Sequence, residues 1–198
     1  MSLLDLSSSE LLDRLASPDP TPGGGSAAAL AGAAAAALVA MVAAMPKTRT
    51  GTPDERAALD AALARSVEQG EILRRLVTED ALAYDAVIAA RRRPKGTDAE
   101  KTVRAAAMDA GLARAAEVPL HTAEACLVIL GQAAVVLTHG NPRAESDVRT
   151  AAALAWAGLT GGLLNVRANL ESEAPSPLSR KADELQSAAR QALVAVGL

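Results

Sequence analysis

Residues 23–45 read GGGSAAALAGAAAAALVAMVAAM, three glycines and a serine followed by an unbroken run of apolar residues and glycine. Alanine and leucine are among the best helix formers, whereas strands favour β-branched and aromatic side chains. We therefore predict a helix that the glycines and the serine open and that ends near Pro46, because a proline disfavours helix at the residue before it. Since most of its side chains are alanine, other helices can pack very close to its backbone.

The composition of the whole chain also favours helices, because Phe is absent and there is one Trp and one Tyr. The apolar run nears the length of a membrane span, but alanine contributes little to insertion and 22% of the residues are charged, so we predict a buried helix and no membrane partner. A net charge of −3 at pH 7 argues against nucleic acid as a partner. The single cysteine, Cys126, suits a core position in a reducing compartment, and the first residues lack the pattern of a secretory signal, so we expect a cytoplasmic protein.

Turn signals divide the rest of the chain into further helices. Caps, prolines and glycines place them at about Ser7 to Ala16, Asp54 to Arg93, Asp98 to Thr138, Asp147 to Ser172, and Pro177 to Val196. Pro119 should kink or divide the fourth of the six helices, and Ser146 is placed to cap the fifth. No segment alternates with a period of two for long enough to form a strand. The prediction is an all-α fold, a multihelical up-and-down bundle of about six helices in one domain over residues 1–198.

The glycine-rich start of the alanine helix is the first segment that could carry chemistry. Gly23, Gly24 and Gly25 let the backbone turn and approach a ligand, and the helix from Ser26 offers unpaired N–H groups and the positive end of its dipole. Such a helix start suits a carbonyl, a carboxylate or a developing oxyanion. It is not a Walker loop, since Gly-Lys-Ser/Thr is missing, and not a dinucleotide fingerprint, since no strand precedes it. The residues alone leave open whether these glycines bind a ligand or only allow tight packing.

One face of the fifth predicted helix is the second such segment. Helical spacing places Asp147, a series of small residues, Asn165 and Asn169 on this face. Buried amides are costly unless they are hydrogen-bonded, so the pair suggests a shared polar task, with bonding between helices as the alternative. Asp147 and Asn165 are 18 residues apart, roughly 27 Å along a helix at ~1.5 Å per residue. They either contact distant parts of one long ligand or meet across two subunits.

A carboxylate cluster in the third predicted helix is the last segment of this kind. Asp80 and Tyr84 share a helix face at a spacing of four residues, and Lys95 lies beyond the end of that helix. A partly buried carboxylate beside a lysine can act as an acid, a base or a ligand anchor, and a solvated acidic face is the alternative. His121 and His139 are well separated and lack partners at ligand spacing, so we expect no metal site.

In this order the segments resemble the cyclodeaminase domain of formiminotransferase-cyclodeaminase and the related bacterial methenyltetrahydrofolate cyclohydrolases. The resemblance covers nearly the whole chain from Leu11 onward, and its most specific parts are PTPGGGSAAALAG at 20–32 and NVRANL at 165–170. Shorter matches are MVA at 41–43, EDA at 79–81, PK at 94–95, and Gly-Asn and Ser-Asp between 140 and 147. The chain departs from the family's usual pattern at Tyr84, where Phe is typical, and at Ala168, where Ile is typical.

The resemblance implies an all-helical homodimer with a folate substrate and no metal or redox cofactor. Members either hydrolyse 5,10-methenyltetrahydrofolate to 10-formyltetrahydrofolate or close 5-formiminotetrahydrofolate to the methenyl form with loss of ammonia. We expect the hydrolase, with the cyclodeaminase and a non-catalytic folate-binding helical dimer as alternatives. By matching motif, the implied catalytic residues are Asp80 and Asp147, and the implied substrate-binding residues are Gly23, Gly24, Gly25, Ser26, Lys95, Asn141, Ser146, Asn165, Arg167 and Asn169.

Overall fold

Six α-helices make up most of the chain in the computed structural model, which describes residues 2–46, 51–170 and 176–197. Two single turns of 3-10 helix, Leu3–Asp5 and Pro142–Ala144, accompany them, and the described residues contain no strand. The prediction of an all-α fold with about six helices is confirmed. The helices are α1 (Ser8–Ala16), α2 (Gly24–Ala44), α3 (Pro53–Arg91), α4 (Asp98–His139), α5 (Glu145–Asn169) and α6 (Pro177–Val196).

The starts of the helices follow local sequence rules closely. Capping boxes, in which two side chains satisfy each other's backbone N–H groups, begin α1 at Ser7, α3 at Thr52, α4 at Thr97 and α6 at Ser176. Each box joins the cap residue to the side chain three positions later, so a stretch of four residues determines each of these four helix starts.

Three predicted details of the helices need correction. Ser146 does not cap α5, because the 3-10 turn after Asn141 runs directly into the helix, whose N-cap is Ala144. Pro119 does not divide α4, which continues through it. α5 ends at Asn169, before the predicted end near Ser172, and Ser172 itself lies outside the described residues. The predicted polar connection before α3 also falls partly outside them, at residues 47–50.

α2 is the central helix and packs against α3, α4 and α5. Glycines allow the closest approach: a Cβ on Gly158 of α5 would lie 2.8 Å from the carbonyl oxygen of Ala28, and one on Gly161 would lie 2.9 Å from the Ala28 Cβ. A Cβ on Gly32 would lie 2.5 Å from the sulfur of Cys126 on α4. Real Cβ atoms do not approach so closely, so the small residues at these crossings set the spacing of the bundle.

Cys126 is completely buried, and its burial raises the pKa of the thiol to about 12. It therefore remains a neutral packing residue, as the sequence predicted. By length and composition, α2 and α4 could each span a membrane, but half of each apolar stretch is buried inside the bundle. Core helices of soluble proteins share this character.

Candidate active site

A polar cavity of about 330 Å³ lies where the N-terminal end of α2 meets α3, α4 and α5. It brings together three of the segments singled out in the sequence: the glycines, Asp80 and the two asparagines. Its lining residues come from all four helices and from the segment before α2, and they are Pro20, Thr21, Gly23, Gly24, Gly25, Asp80, Tyr84, Ala115, Asn165, Ala168 and Asn169.

Asp80 of α3 reaches the first turn of α2 and takes the place of an N-cap side chain there. Gly23, the N-cap residue, offers no side chain, whereas the Ser26 hydroxyl donates to Oδ2 of Asp80 at 3.0 Å and the Ser26 backbone also bonds to this carboxylate. The contact depends on Gly25, because a Cβ there would lie 2.5 Å from Cγ of Asp80. Gly25 is thus a glycine because the carboxylate occupies the space of its side chain.

Burial raises the pKa of Asp80 above its ordinary value, and the hydrogen bonds from Ser26 offset only part of this effect. Arg114 of α4 forms an ion pair with the adjacent Glu79 at 2.7 Å and not with Asp80. A carboxylate with a raised pKa at the wall of a cavity is a stronger base than an ordinary carboxylate and is suited to accept a proton.

Asn165 and Asn169 line the opposite wall from the last two turns of α5. Nδ2 of Asn165 donates to the carbonyl of Gly161 one turn earlier at 2.9 Å, and it lies 3.3 Å from the position of a Cβ on Gly24. Nδ2 of Asn169 donates to the carbonyl of Ala115 on α4 at 2.8 Å. The predicted bonding between helices is confirmed for Asn169, whereas Asn165 bonds within its own helix. Both side chains line the same cavity, and a shared polar task for them stays a prediction.

Tyr84 and Thr21 belong to the cavity wall but were not among the predicted site residues. The spacing of four residues between Asp80 and Tyr84 was the available signal, since it places both on one face of α3. Thr21 donates its hydroxyl to Asp85 at 2.8 Å and so ties the segment before α2 to α3. The sequence held no comparable signal for this contact.

Six predicted site residues are not part of the cavity lining. One of them, Ser26, is buried and bonded to Asp80. Asn141, Ser146 and Asp147 are at the start of α5, near the C-terminal end of α2, where the Asn141 side chain donates to the Pro46 carbonyl at 3.5 Å. Lys95 is exposed in the turn between α3 and α4. Arg167 contacts α6, with hydrogen bonds to Asp183 at 3.1 Å and to Gln186 at 2.7 Å.

The cavity is not the largest depression in the described chain, but it is the one that brings six of the predicted site residues together. A cavity of about 400 Å³ lies at the other end of α2 and is lined by none of the predicted site residues. Across residues 2–46, 51–170 and 176–197, His, Cys, Asp and Glu side chains form no group of three that could hold a metal ion. The lining of the cavity offers a carboxylate, backbone N–H groups, amides and a phenol.

Comparison with known proteins places this arrangement in a family. The sequence profile of the formiminotransferase-cyclodeaminase family matches residues 7–190. The chain belongs to that family. The sequence-based identification with cyclodeaminases and methenyltetrahydrofolate cyclohydrolases is thereby confirmed.

Named relatives of this family fall into two groups. A methenyltetrahydrofolate cyclohydrolase of Methylorubrum extorquens is 41% identical over 162 residues, which cover 80% of this chain and 76% of that protein. The mouse formimidoyltransferase-cyclodeaminase is 34% identical over 99% of this chain, which spans 37% of the mouse protein's length. The crystal structure of a formiminotetrahydrofolate cyclodeaminase from Thermotoga maritima shares the fold, with a TM-score of 0.84, 24% identity, and coverage of 98% of this chain and 95% of that one.

Proposed function

We propose that this protein hydrolyses 5,10-methenyltetrahydrofolate to 10-formyltetrahydrofolate in the cavity at the start of α2. The observation that carries the proposal is the buried carboxyl group of Asp80, set against the glycine turn with a raised pKa. The relative from Methylorubrum extorquens supports this reaction over others in the family, since it is named as a cyclohydrolase and is 41% identical. Water is the co-reactant, so the proposal needs no metal or redox cofactor. We place the reaction in the cytoplasm.

In the proposed mechanism Asp80 is the general base. The oxygen of a water molecule attacks the cationic methenyl carbon, and one water proton passes to the Asp80 carboxylate. The bond from that carbon to N5 then breaks, its electron pair stays on N5, and N5 takes up a proton while the hydroxyl loses its own to form the formyl carbonyl. The cation and water thus give the formyl product and one proton.

The remaining walls of the cavity suit a polar, planar substrate. Gly23 gives α2 no side-chain cap, and those N–H groups of its first turn that do not bond Asp80 favour, together with the helix dipole, an oxygen that gains negative charge. Asn165 and Asn169 supply amides for the donor and acceptor edge of a pterin ring, and Tyr84 supplies an aromatic face. Lys95 lies beyond the C-terminal end of α3, so only the distant glutamate end of an extended folate would reach it.

We also infer that the protein is a homodimer whose second copy covers the exposed face of α2. Apart from Ser26, this helix carries only apolar side chains and glycine, yet Met41 is 40% exposed and Val67 of the adjacent α3 is 52% exposed. Two copies that pack α2 antiparallel across this face would bring the start of one α5 close to the glycine turn of the other. The second copy would then complete the site with its Asn141, Ser146 and Asp147. This arrangement would explain how Asp147 and Asn165 serve one site although they lie roughly 27 Å apart within one chain, at ~1.5 Å per residue.

The proposed reaction is tested by mixing pure protein with methenyltetrahydrofolate and following the near-ultraviolet absorbance against the buffer rate. Wild-type protein should accelerate hydrolysis, and Asp80→Asn should lower kcat by about 10²- to 10⁴-fold, the usual contribution of a general base. The matched control is Asp109→Asn on the exposed surface of α4, which should keep wild-type activity. Equal melting temperatures of the two variants would show that the loss is chemical.

The competing activities give distinct results in the same experiment. No acceleration of hydrolysis, together with ammonia release from 5-formiminotetrahydrofolate, would replace the cyclohydrolase by the cyclodeaminase. A folate-dependent rise in melting temperature without turnover of either substrate would identify a non-catalytic binding protein. Full activity of Asp80→Asn would remove Asp80 from the mechanism.

A further inference from the structure

Pro119 leaves one backbone carbonyl in the middle of α4 without its usual partner. In a helix the N–H of each residue bonds to the carbonyl four residues earlier, and proline has no N–H to give. The carbonyl left over is that of Ala115, which is only 3% exposed and lines the candidate active site. The proline ring also clashes with this carbonyl in a straight helix and so turns it away from the axis.

Asn169 of α5 supplies the missing donor. Its Nδ2 bonds to the Ala115 carbonyl at 2.8 Å, across a sequence separation of 54 residues. Because a carbonyl oxygen can only accept, the amide must present its NH₂ group to α4, and the orientation of the whole side chain is thereby defined. Asn169 is the last residue of α5, where a helix end without such a bond would fray.

Gly162 makes this meeting of α4 and α5 possible. A Cβ on Gly162 would lie 2.7 Å from the Pro119 carbonyl and 3.2 Å from the backbone nitrogen of Ala123. Asn169 follows Gly162 by seven residues, two helical turns later on the same face. The proline, the glycine and the asparagine therefore act as one contact between the two helices.

We propose that Pro119, through the carbonyl of Ala115, is a positioning residue for substrate binding. It holds the Asn169 amide with its nitrogen on α4 and its oxygen available to accept a hydrogen bond from an N–H group of the substrate. Reduced pterins carry such groups on their ring edge, and this inference rests on the proposed folate reaction. The substrate-binding role that the resemblance implies for Asn169 then depends on a proline 50 residues away, outside the motifs quoted for that resemblance.

The decisive variant is Pro119→Ala, which returns a backbone donor to the Ala115 carbonyl and frees the Asn169 amide. We expect the KM for methenyltetrahydrofolate to rise about 2- to 12-fold, the value of one hydrogen bond, with a smaller change in kcat. Asn169→Ala should raise KM at least as much, and the double variant should show no further increase beyond Asn169→Ala. The matched control is Pro53→Ala, because Pro53 begins α3 and leaves no helical carbonyl open.

A second measurement tests the positioning without any turnover. The side-chain amide signals of Asn169 in a ¹⁵N-labelled sample are assigned by their loss in Asn169→Ala. In Pro119→Ala the hydrogen exchange of this amide should accelerate about 2- to 12-fold, since its bond to α4 is weakened. An unchanged exchange rate overturns the positioning role, whatever the activity.

The remaining outcomes distinguish a failure of the positioning role from a failure of the proposed function. If Pro119→Ala loosens the amide and lowers the melting temperature but leaves KM unchanged, the contact only joins two helices and the proposal is wrong. If wild-type protein turns over no folate while the amide is still loosened in Pro119→Ala, the proposed function fails, and with it the substrate role of this contact. A KM increase in the Pro53→Ala control would show that the effect is not specific to Ala115.

Discussion

Gly25→Ala is the most informative single substitution in this protein, because it adds one methyl group to the space that the Asp80 carboxylate occupies. The new Cβ would lie 2.5 Å from Cγ and 2.7 Å from Oδ2 of Asp80. Since non-bonded atoms settle near 3.5–4.0 Å and Oδ1 of Asp80 would be the nearest of the three atoms, the carboxylate must move by more than about 1 Å. The 3.0 Å hydrogen bond from Ser26 is then lost or severely weakened.

The energetic consequences can be worked out from these contacts. A hydrogen bond to a charged group stabilises the fold by about 1.5–3 kcal/mol, and this contribution is lost. Alanine in place of a helical glycine stabilises the helix by up to about 1 kcal/mol and offsets part of the loss. We therefore expect the free energy of unfolding to fall by about 0.5–3 kcal/mol, as measured by urea denaturation. A displacement of about 1 Å at the proposed base should lower kcat for methenyltetrahydrofolate about 10²-fold.

Gly131→Ala is the matched control, because Gly131 is an exposed glycine inside α4 and a Cβ there would meet nothing within 4 Å. It should gain about 0.5–1 kcal/mol of stability and keep wild-type kcat. In an Asp80→Ala background, Gly25→Ala should lower the free energy of unfolding much less, since the clashing carboxylate is gone. If Gly25→Ala resembled Gly131→Ala in both stability and kcat, the contact between Gly25 and Asp80 would be refuted.

Two further predictions concern charge and assembly. Because burial raises the folded-state pKa of Asp80 above the ordinary 3.8, the folded protein binds this proton more tightly, and its contribution to stability is lost as the pH rises through the folded pKa. In urea denaturation, the free energy of unfolding of wild type relative to Asp80→Asn should therefore fall as the pH rises from below 3.8 through the folded-state pKa, and a flat difference would contradict the burial effect. Met41→Glu should dissociate the proposed dimer in sedimentation experiments and lower the activity. The control Val194→Glu, at a side chain of α6 that is 77% exposed, should change neither. A dimer that survives Met41→Glu would place the interface elsewhere.

Much of the fold could be predicted from the sequence because helix signals are local. The capping boxes at Ser7, Thr52 and Thr97 each lie within four residues, and the alanine run around α2 has no competing strand pattern. Ser146 was predicted as a cap in error because a 3-10 turn after Asn141 already leads the chain into α5, one residue before Ser146. A turn and a helix that share their boundary leave no distinct cap signal.

The shared face of the two asparagines in the candidate site was predictable from helical spacing. The same spacing could also have predicted that Arg167 points away from that face. Asn165 and Asn169 are four residues apart and share a face of α5, as their position in the cavity confirms. Arg167 lies two residues from each, about 200° around the helix, and so points to α6 and Asp183 instead. The family motif joins these residues in sequence, but helical periodicity separates them in space.

By itself, the sequence determined the helical class, the helix starts, the close packing at the glycines and the face that Asn165 and Asn169 share, because each depends on residues a few positions apart. Only the tertiary structure decided which groups meet in the cavity. The Ser26 hydroxyl bonds to Asp80 across 54 residues, and Asn169 bonds to Ala115 across the same separation. Such contacts arise from how α2, α3, α4 and α5 pack, and no local pattern encodes that packing. For the same reason the glycine run could not reveal that one of its members, Gly25, leaves room for a carboxylate.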